Sequence, residues 1–263
     1  MLLGMSVVVT GGNRGIGYAV CERLARTGRR VVLVARDPAR GAAAVRELPG
    51  EVDLVAGDLS TVAGVRILAE ELRRLCPEIE VLVHNAGLWP SRRVLTADGV
   101  EEAFAVNHLA PFLLNHLLED RLRRVVQVSA GLFVKGKADP ERTAYGLDFH
   151  PVRTYADTKL CNVLTLPLFA RRWQDAGVTI DALHPGVIRT GLGDRGGVLG
   201  LVLKAAKFFW TAPEHGATPV VRLALEEKGS GRFFNVDKEL PVHLDQELGE
   251  RIWRQAAALT GVG

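Results

Sequence analysis

Ser6-Val-Val-Val-Thr10-Gly-Gly-Asn-Arg-Gly15-Ile-Gly17 is the stretch whose reading decides the architecture. Ser6 to Thr10 is a short β-branched run and predicts a strand. Helical spacing begins at once (Ile16, Ala19, Val20, Leu24) and stops at Gly28. The glycines between permit a tight turn and a close approach of backbone to a pyrophosphate. The helix start adds free N–H groups and a favourable dipole. Gly11, Asn13, Arg14, Gly15, Ile16 and Gly17 are therefore candidate dinucleotide contacts, although a glycine turn needed only for packing reads the same way. The spacing is Gly-x-x-x-Gly-x-Gly rather than Gly-x-Gly-x-x-Gly.

Working outward, the same unit repeats. Strands are predicted at Val31 to Ala35, Val52 to Ala56, Glu80 to His84, Arg124 to Ser129, Val178 to His184 and Arg232 to Val236. Helices are predicted over Pro38 to Leu48, from a Ser60 cap to Leu75, and over Gly99 to Glu119. Three more follow, at Val152 to Asp175, Pro213 to Glu227 and Leu244 to Leu259. Near-continuous apolar strands alternating with helices imply an α/β fold: a doubly wound parallel sheet of about seven strands in three α/β/α layers. No repeat or composition break divides residues 1–263, so one domain is expected. Two long connections, near 130–150 and 191–211, follow strands and emerge at the carboxyl ends of the sheet, where such sheets bind ligands.

A formal charge of +3 with dispersed basic residues gives no argument for nucleic acid. Cys21, Cys76 and Cys161 are isolated and odd in number, which suggests neither a disulfide framework nor a metal site and fits a reducing cytoplasm. The opening residues are too short for a signal peptide. The apolar run from Gly197, interrupted by Lys204, is too short to span a bilayer; Gly197 to Trp210 reads as a substrate lid in preference to a membrane contact.

Arg36 at the end of the second strand stands where NAD-binding sheets place an acid. Its guanidinium suits the 2′-phosphate of NADP, and Arg14 could reach the same group. Asp37 is one position late. Asp58-Leu59 closes the third strand, where Asp58 either accepts from an adenine amino group or caps the next helix. Asn85-Ala86-Gly87 closes the fourth, where small residues admit a ribose or simply make a turn. Tyr155 and Lys159, four apart on a helix, share a face; an ammonium beside a phenol lowers its pKa from about 10 and suits it to proton transfer.

Thr10-Gly-x-x-x-Gly15-Ile-Gly17, Asn85-Ala-Gly87, Asn107, Ser129, Tyr155-x-x-x-Lys159 and Pro185-Gly186 occur in this order on these elements. Together they resemble the short-chain dehydrogenase/reductase family, which has a single-domain Rossmann fold, over residues 5 to 240. His184-Pro-Gly, Ala35-Arg36 and the long Ser129–Tyr155 interval are most similar to its retinol-dehydrogenase-like branch. Thr158 departs from the branch's usual serine and keeps a hydroxyl.

The resemblance implies Tyr155 as general acid/base, with Lys159 lowering its pKa and binding the nicotinamide ribose. It implies Ser129 holding the substrate oxygen and Asn107 holding a water that links Lys159 to solvent. Pro185, Gly186 and Ile188 would present backbone to the nicotinamide amide, and Thr190 a side chain. The implied function is reversible hydride transfer between NADP(H) and a carbonyl/alcohol pair, with NADPH reducing a bulky apolar ketone or aldehyde (retinoid-, steroid- or polyketide-like) and no metal. The alternatives are a non-catalytic NADP-sensing regulator and a sugar-nucleotide epimerase on the same fold. A homodimer or homotetramer is implied, pairing through the helices after strands four and five, with Leu109 to Leu118 offering an apolar face.

His84 and His184 read as core histidines rather than ligands. Trp89, Phe133, Phe149, Phe208, Phe209 and Trp210 suggest an apolar, aromatic-lined pocket.

Overall fold

The computed structural model describes residues 5–186, 213–225 and 229–262. Its centre is one eight-stranded sheet in the order β3-β2-β1-β4-β5-β6-β7-β8. The strands are β1 (Met5–Thr10), β2 (Arg30–Ala35), β3 (Val52–Ala56), β4 (Glu78–His84), β5 (Arg124–Val128), β6 (Thr179–His184), β7 (Phe233–Asn235) and β8 (Lys238–Leu240). All neighbours pair in parallel except β7 and β8. The order reverses between β1 and β4, and a crevice outside the carboxyl ends of the strands at that point is where such sheets take ligands.

The helices are α1 (Gly15–Arg26), α2 (Pro38–Glu47), α3 (Val62–Leu75), α4 (Glu102–Phe104), α5 (Ala110–Leu117), α6 (Pro151–Arg172), α7 (Pro213–Leu225) and α8 (Gln246–Thr260). Strand residues alternate between two cores. Val7, Val9, Val31 and Leu33 face α1, α2 and α7, while Val8, Val32, Leu82 and Val125 face α3, α5, α6 and α8.

Four differences from the sequence reading have local causes. Among the described residues the sheet has eight strands where about seven were expected: β8 returns from β7 through Val236 and Asp237, with Val236 at φ 56°. That turn lacks the Asn-Gly or Asp-Gly signal of a hairpin, and a β-branched residue there is strained. Thr61, not Ser60, caps α3 by accepting from the Gly64 N–H at 3.1 Å.

The helix expected over Gly99 to Glu119 is interrupted by a π-turn at Ala105–Leu109. Pro111 has no N–H to give the Asn107 carbonyl, so that turn widens. The Asn162 side chain replaces the missing donor, giving Nδ2 to that carbonyl at 2.7 Å.

Finally, the leucines expected to offer a partner face are spent internally: Leu109, Leu113, Leu114 and Leu118 are buried in the chain's own core. Trp253 of α8 packs on Phe112 and Phe169 with ring centroids 4.9 and 4.5 Å apart, so the C-terminal helix lies over α5 and α6. Among the described residues no helix is long and apolar enough to cross a membrane.

Candidate active site

The turn after β1 is shaped by its contacts with the end of β4. The N–H groups of Asn85 and Ala86 each donate to Thr10 Oγ1 at 3.1 Å. Asn85 Nδ2 donates to the carbonyls of Thr10 and Gly11 at 3.0 and 3.2 Å, which uses both its donors. A Cβ at Gly17 would sit 2.4 Å from that Nδ2, and one at Gly11 (φ +66°) would sit 3.0 Å from Ala86 Cα. The glycines are thus required for packing. They also leave a cradle: α1 begins with no side-chain cap and no acid in its first turn, so its N–H groups and dipole are open to an anion. Asn13 is half-buried in this cradle and Arg14 is exposed. These features fit a dinucleotide pyrophosphate.

At the end of β2, Asp37 accepts from the N–H groups of Ala39 and Arg40 at 2.9 and 3.0 Å, so the acid that follows Arg36 is engaged in capping α2. The Arg36 side chain is 69% exposed, with Glu102 at 3.9 Å. Asp58 closes a local turn by accepting from the N–H and hydroxyl of Ser60 at 2.9 and 2.8 Å, and is not the cap of α3. Leu59 packs against the core. Pro185 and Gly186 (φ +95°) follow β6. Ile188, Thr190, the 191–211 connection and the apolar run within it lie outside the described residues.

Four residues expected to act together lie on neighbouring elements. Lys159 Nζ donates to the carbonyl of Val128, the residue before Ser129, at 3.1 Å, and lies 5.7 Å from the Tyr155 ring centroid. A Cβ at Gly87 would lie 3.3 Å from Asn107 Oδ1 and 3.8 Å from Lys159 Nζ. Asn107, in the π-turn, accepts from the Leu88 N–H at 2.7 Å and donates to the Leu88 carbonyl at 2.8 Å and to Thr158 Oγ1 at 3.0 Å. Tyr155 is 5% exposed, and its phenol is stacked flat on the Trp89 indole, with ring centroids 4.7 Å and planes 3° apart. Ser129 Oγ is buried and has no hydrogen-bond partner among the described residues.

One electrostatic expectation reverses. Burial raises the Tyr155 pKa above the ordinary phenol value instead of Lys159 lowering it. The cause is desolvation: an ammonium that is itself desolvated, engaged by the Val128 carbonyl and nearly 6 Å from the ring centre does not offset the cost of a phenolate out of water. The same burial lowers Lys159 to about 8. The phenol is therefore a proton donor at neutral pH.

The 130–150 insertion is built onto this site. Asp157, between Tyr155 and Lys159, accepts from the Lys137 N–H at 2.6 Å. Glu101 gives its N–H to the Ala144 carbonyl at 2.8 Å, and Arg93 Nε donates to the Tyr145 carbonyl at 2.9 Å. Asp157 and Asn162 escaped the sequence reading. Pro111, four residues after Asn107, was the available signal for a carbonyl needing a new donor.

Residues 5–195 match the model of the short chain dehydrogenases. The chain belongs to the short-chain dehydrogenase family. Within it, the chain falls in the retinol-dehydrogenase-like branch. It is 33% identical to human retinol dehydrogenase 13 over 98% of this chain and 85% of that one. It is 36% identical to a Streptomyces protein named "Putative daunorubicin C-13 ketoreductase DnrU" over 99% and 94%. Among solved structures, an uncharacterized protein from Mycobacterium paratuberculosis superposes with a TM-score of 0.80 at 28% identity, covering 98% of this chain and 93% of that one. A blue fluorescent protein from a metagenomic library, solved in complex with NADPH, superposes at 0.69 with 26% identity, covering 89% and 96%. The short-chain dehydrogenase is thus an oxidoreductase of a nicotinamide-dependent family acting on a small molecule.

Proposed function

We propose that this short-chain dehydrogenase reduces a bulky apolar ketone or aldehyde at the expense of NADPH. The observation that carries the reading is a buried, unpartnered serine hydroxyl together with a buried phenol and a buried lysine. Among the described residues Ser129 Oγ is buried and unpartnered, and burial keeps the Tyr155 phenol in its neutral, proton-donating form. Both can donate to one oxygen. Tyr155 gives its proton as that oxygen becomes negative, and Ser129 holds and orients it. Lys159 keeps a positive charge beside the pair. Asn107 fixes Leu88 and Thr158 on either side of it. The nicotinamide, when bound, supplies the hydride.

The glycine cradle, Arg14 and Arg36 hold the dinucleotide. NADP is favoured because Asp37 is occupied in capping α2, which leaves Arg36 at the strand end to meet a 2′-phosphate. The NADPH complex of the metagenomic relative agrees with this. Asp58, Leu59, Asn85 to Gly87, Pro185, Gly186, Ile188 and Thr190 complete the cofactor groove. Cytoplasmic placement belongs to the same reading, supported by three buried free thiols. A homodimer or homotetramer would have to form through a face other than the α5 leucines.

The test is Tyr155→Phe assayed with NADPH and a panel of aryl and polyenyl carbonyls. We expect turnover to fall by about three orders of magnitude or more with NADPH affinity retained. Turnover at the wild-type rate would end the assignment.

A further inference from the structure

Thr158 stands in α6 between Tyr155 and Lys159 and is fully buried. In the chemistry above it is held by Asn107 and does nothing in return. Its hydroxyl nevertheless has a fixed polarity. Asn107 Oδ1 accepts from the Leu88 N–H at 2.7 Å, so the amide nitrogen lies on the other side, where it donates to the Leu88 carbonyl at 2.8 Å and to Thr158 Oγ1 at 3.0 Å. Those two bonds use both amide hydrogens. Thr158 Oγ1 therefore accepts from Asn107, and it gives its own hydrogen to the Tyr155 carbonyl at 2.8 Å.

A threonine hydroxyl bonded back to its own helix is ordinary and slightly unfavourable. The second bond, from Asn107, makes this one a link between two segments. One is the loop after β4, where Trp89 follows Leu88. The other is the turn of α6 that bears Tyr155. The rings of Trp89 and Tyr155 meet across that link, with centroids 4.7 Å and planes 3° apart. The phenol is thus set at both ends, its backbone by Thr158 and its ring by the indole.

Resting on the reductase reading above, we propose that Thr158 is a positioning residue for proton transfer from Tyr155. Its hydroxyl carries the placement of the Asn107–Leu88 bracket to the Tyr155 backbone and keeps the phenol where it meets the substrate oxygen. Without the hydroxyl, the bracket and the Tyr155 turn are uncoupled, and the phenol shifts against Ser129 and Lys159. A small shift of a reacting group costs rate with no matching cost in binding.

The test compares the full chain of wild type with Thr158→Val, Thr158→Ala and Thr158→Ser. Valine keeps the shape and removes the hydroxyl. Alanine removes it with a side chain that favours a helix, which covers a valine variant that does not fold. Serine restores it. With NADPH and either acetophenone or all-trans-retinal, kcat per NADPH-binding site should fall roughly ten- to a hundredfold in the valine and alanine variants, with KM and NADPH affinity within about twofold of wild type. Thr158→Ser should return kcat to within about threefold of wild type. Near-ultraviolet circular dichroism reads the ring pair without turnover. The wild-type spectrum minus that of Trp89→Leu isolates the stacked pair; Thr158→Val and Thr158→Ala should weaken this signal and Thr158→Ser should keep it.

A valine or alanine variant with wild-type kcat, a loss that serine does not restore, or an undiminished ring-pair signal overturns the proposal. The reductase reading fails separately, by absence of NADPH oxidation by wild type with both carbonyls. The circular dichroism then still decides whether Thr158 holds the phenol.

Discussion

At the scale of single residues, two charged groups make the reading quantitative. Arg36 stands largely in solvent at the end of β2 with its neighbouring acid engaged elsewhere. Arg36→Ala should lower kcat/KM for NADPH by roughly ten- to a hundredfold and leave NADH little changed, since a charge-assisted contact contributes about 1.5–3 kcal/mol. Initial rates with the two cofactors check this. Lys159, lowered to about 8 by burial, is charged below that pH and neutral above it. Because kcat/KM reports the free enzyme, the reductive kcat/KM should hold to about pH 8 and fall beyond it. A profile flat to pH 10 would remove the ammonium from the mechanism. Tyr155 stays protonated throughout this range, so the limb belongs to Lys159.

At the scale of elements, the π-turn and the start of α4 are held by buried polar side chains. Asn162 supplies the donor that Pro111 removed and receives His108 Nδ1 at 2.9 Å. Asn162→Ala leaves both groups unpaired and should destabilise the fold by about 1–3 kcal/mol, measured by urea denaturation. Activity should fall more than stability predicts, because Asn107 loses its anchor. Glu101 caps α4 through Phe104 N–H at 3.0 Å, while its other carboxylate oxygen is buried and unpartnered. Burial raises its pKa from 4.5 to about 7. The folded state then holds a proton that the unfolded state has lost, so stability falls as pH rises from about 4.5 to 7 and stays reduced above. Glu101→Gln should remove that slope and gain on the order of 1–2 kcal/mol at pH 8.

At the scale of the whole molecule, the βα alternation and the positions of the glycine turn, Ser129, Tyr155 and Lys159 were legible in the sequence, because apolar period and glycine placement are local properties. What was not legible depends on contacts between distant residues. Nothing near Tyr155 announced that burial would outweigh its lysine. Asp37 was seen as a displaced acid, yet its geometry as a cap is set by the helix it starts. The leucines around α5 looked like a partner surface because their burial depends on elements distant in sequence; Trp253, which packs on Phe112 of the same helix, lies more than a hundred residues further along the chain. Trp253→Ala should therefore destabilise the protein by about 2–4 kcal/mol, read as a lower midpoint in thermal or urea unfolding.

That late cover bears on how the chain matures. Until α8 has left the ribosome, the aromatic patch around Phe112 and Phe169 stays wet. A nascent chain stalled there should bind chaperones, and release should coincide with emergence of α8.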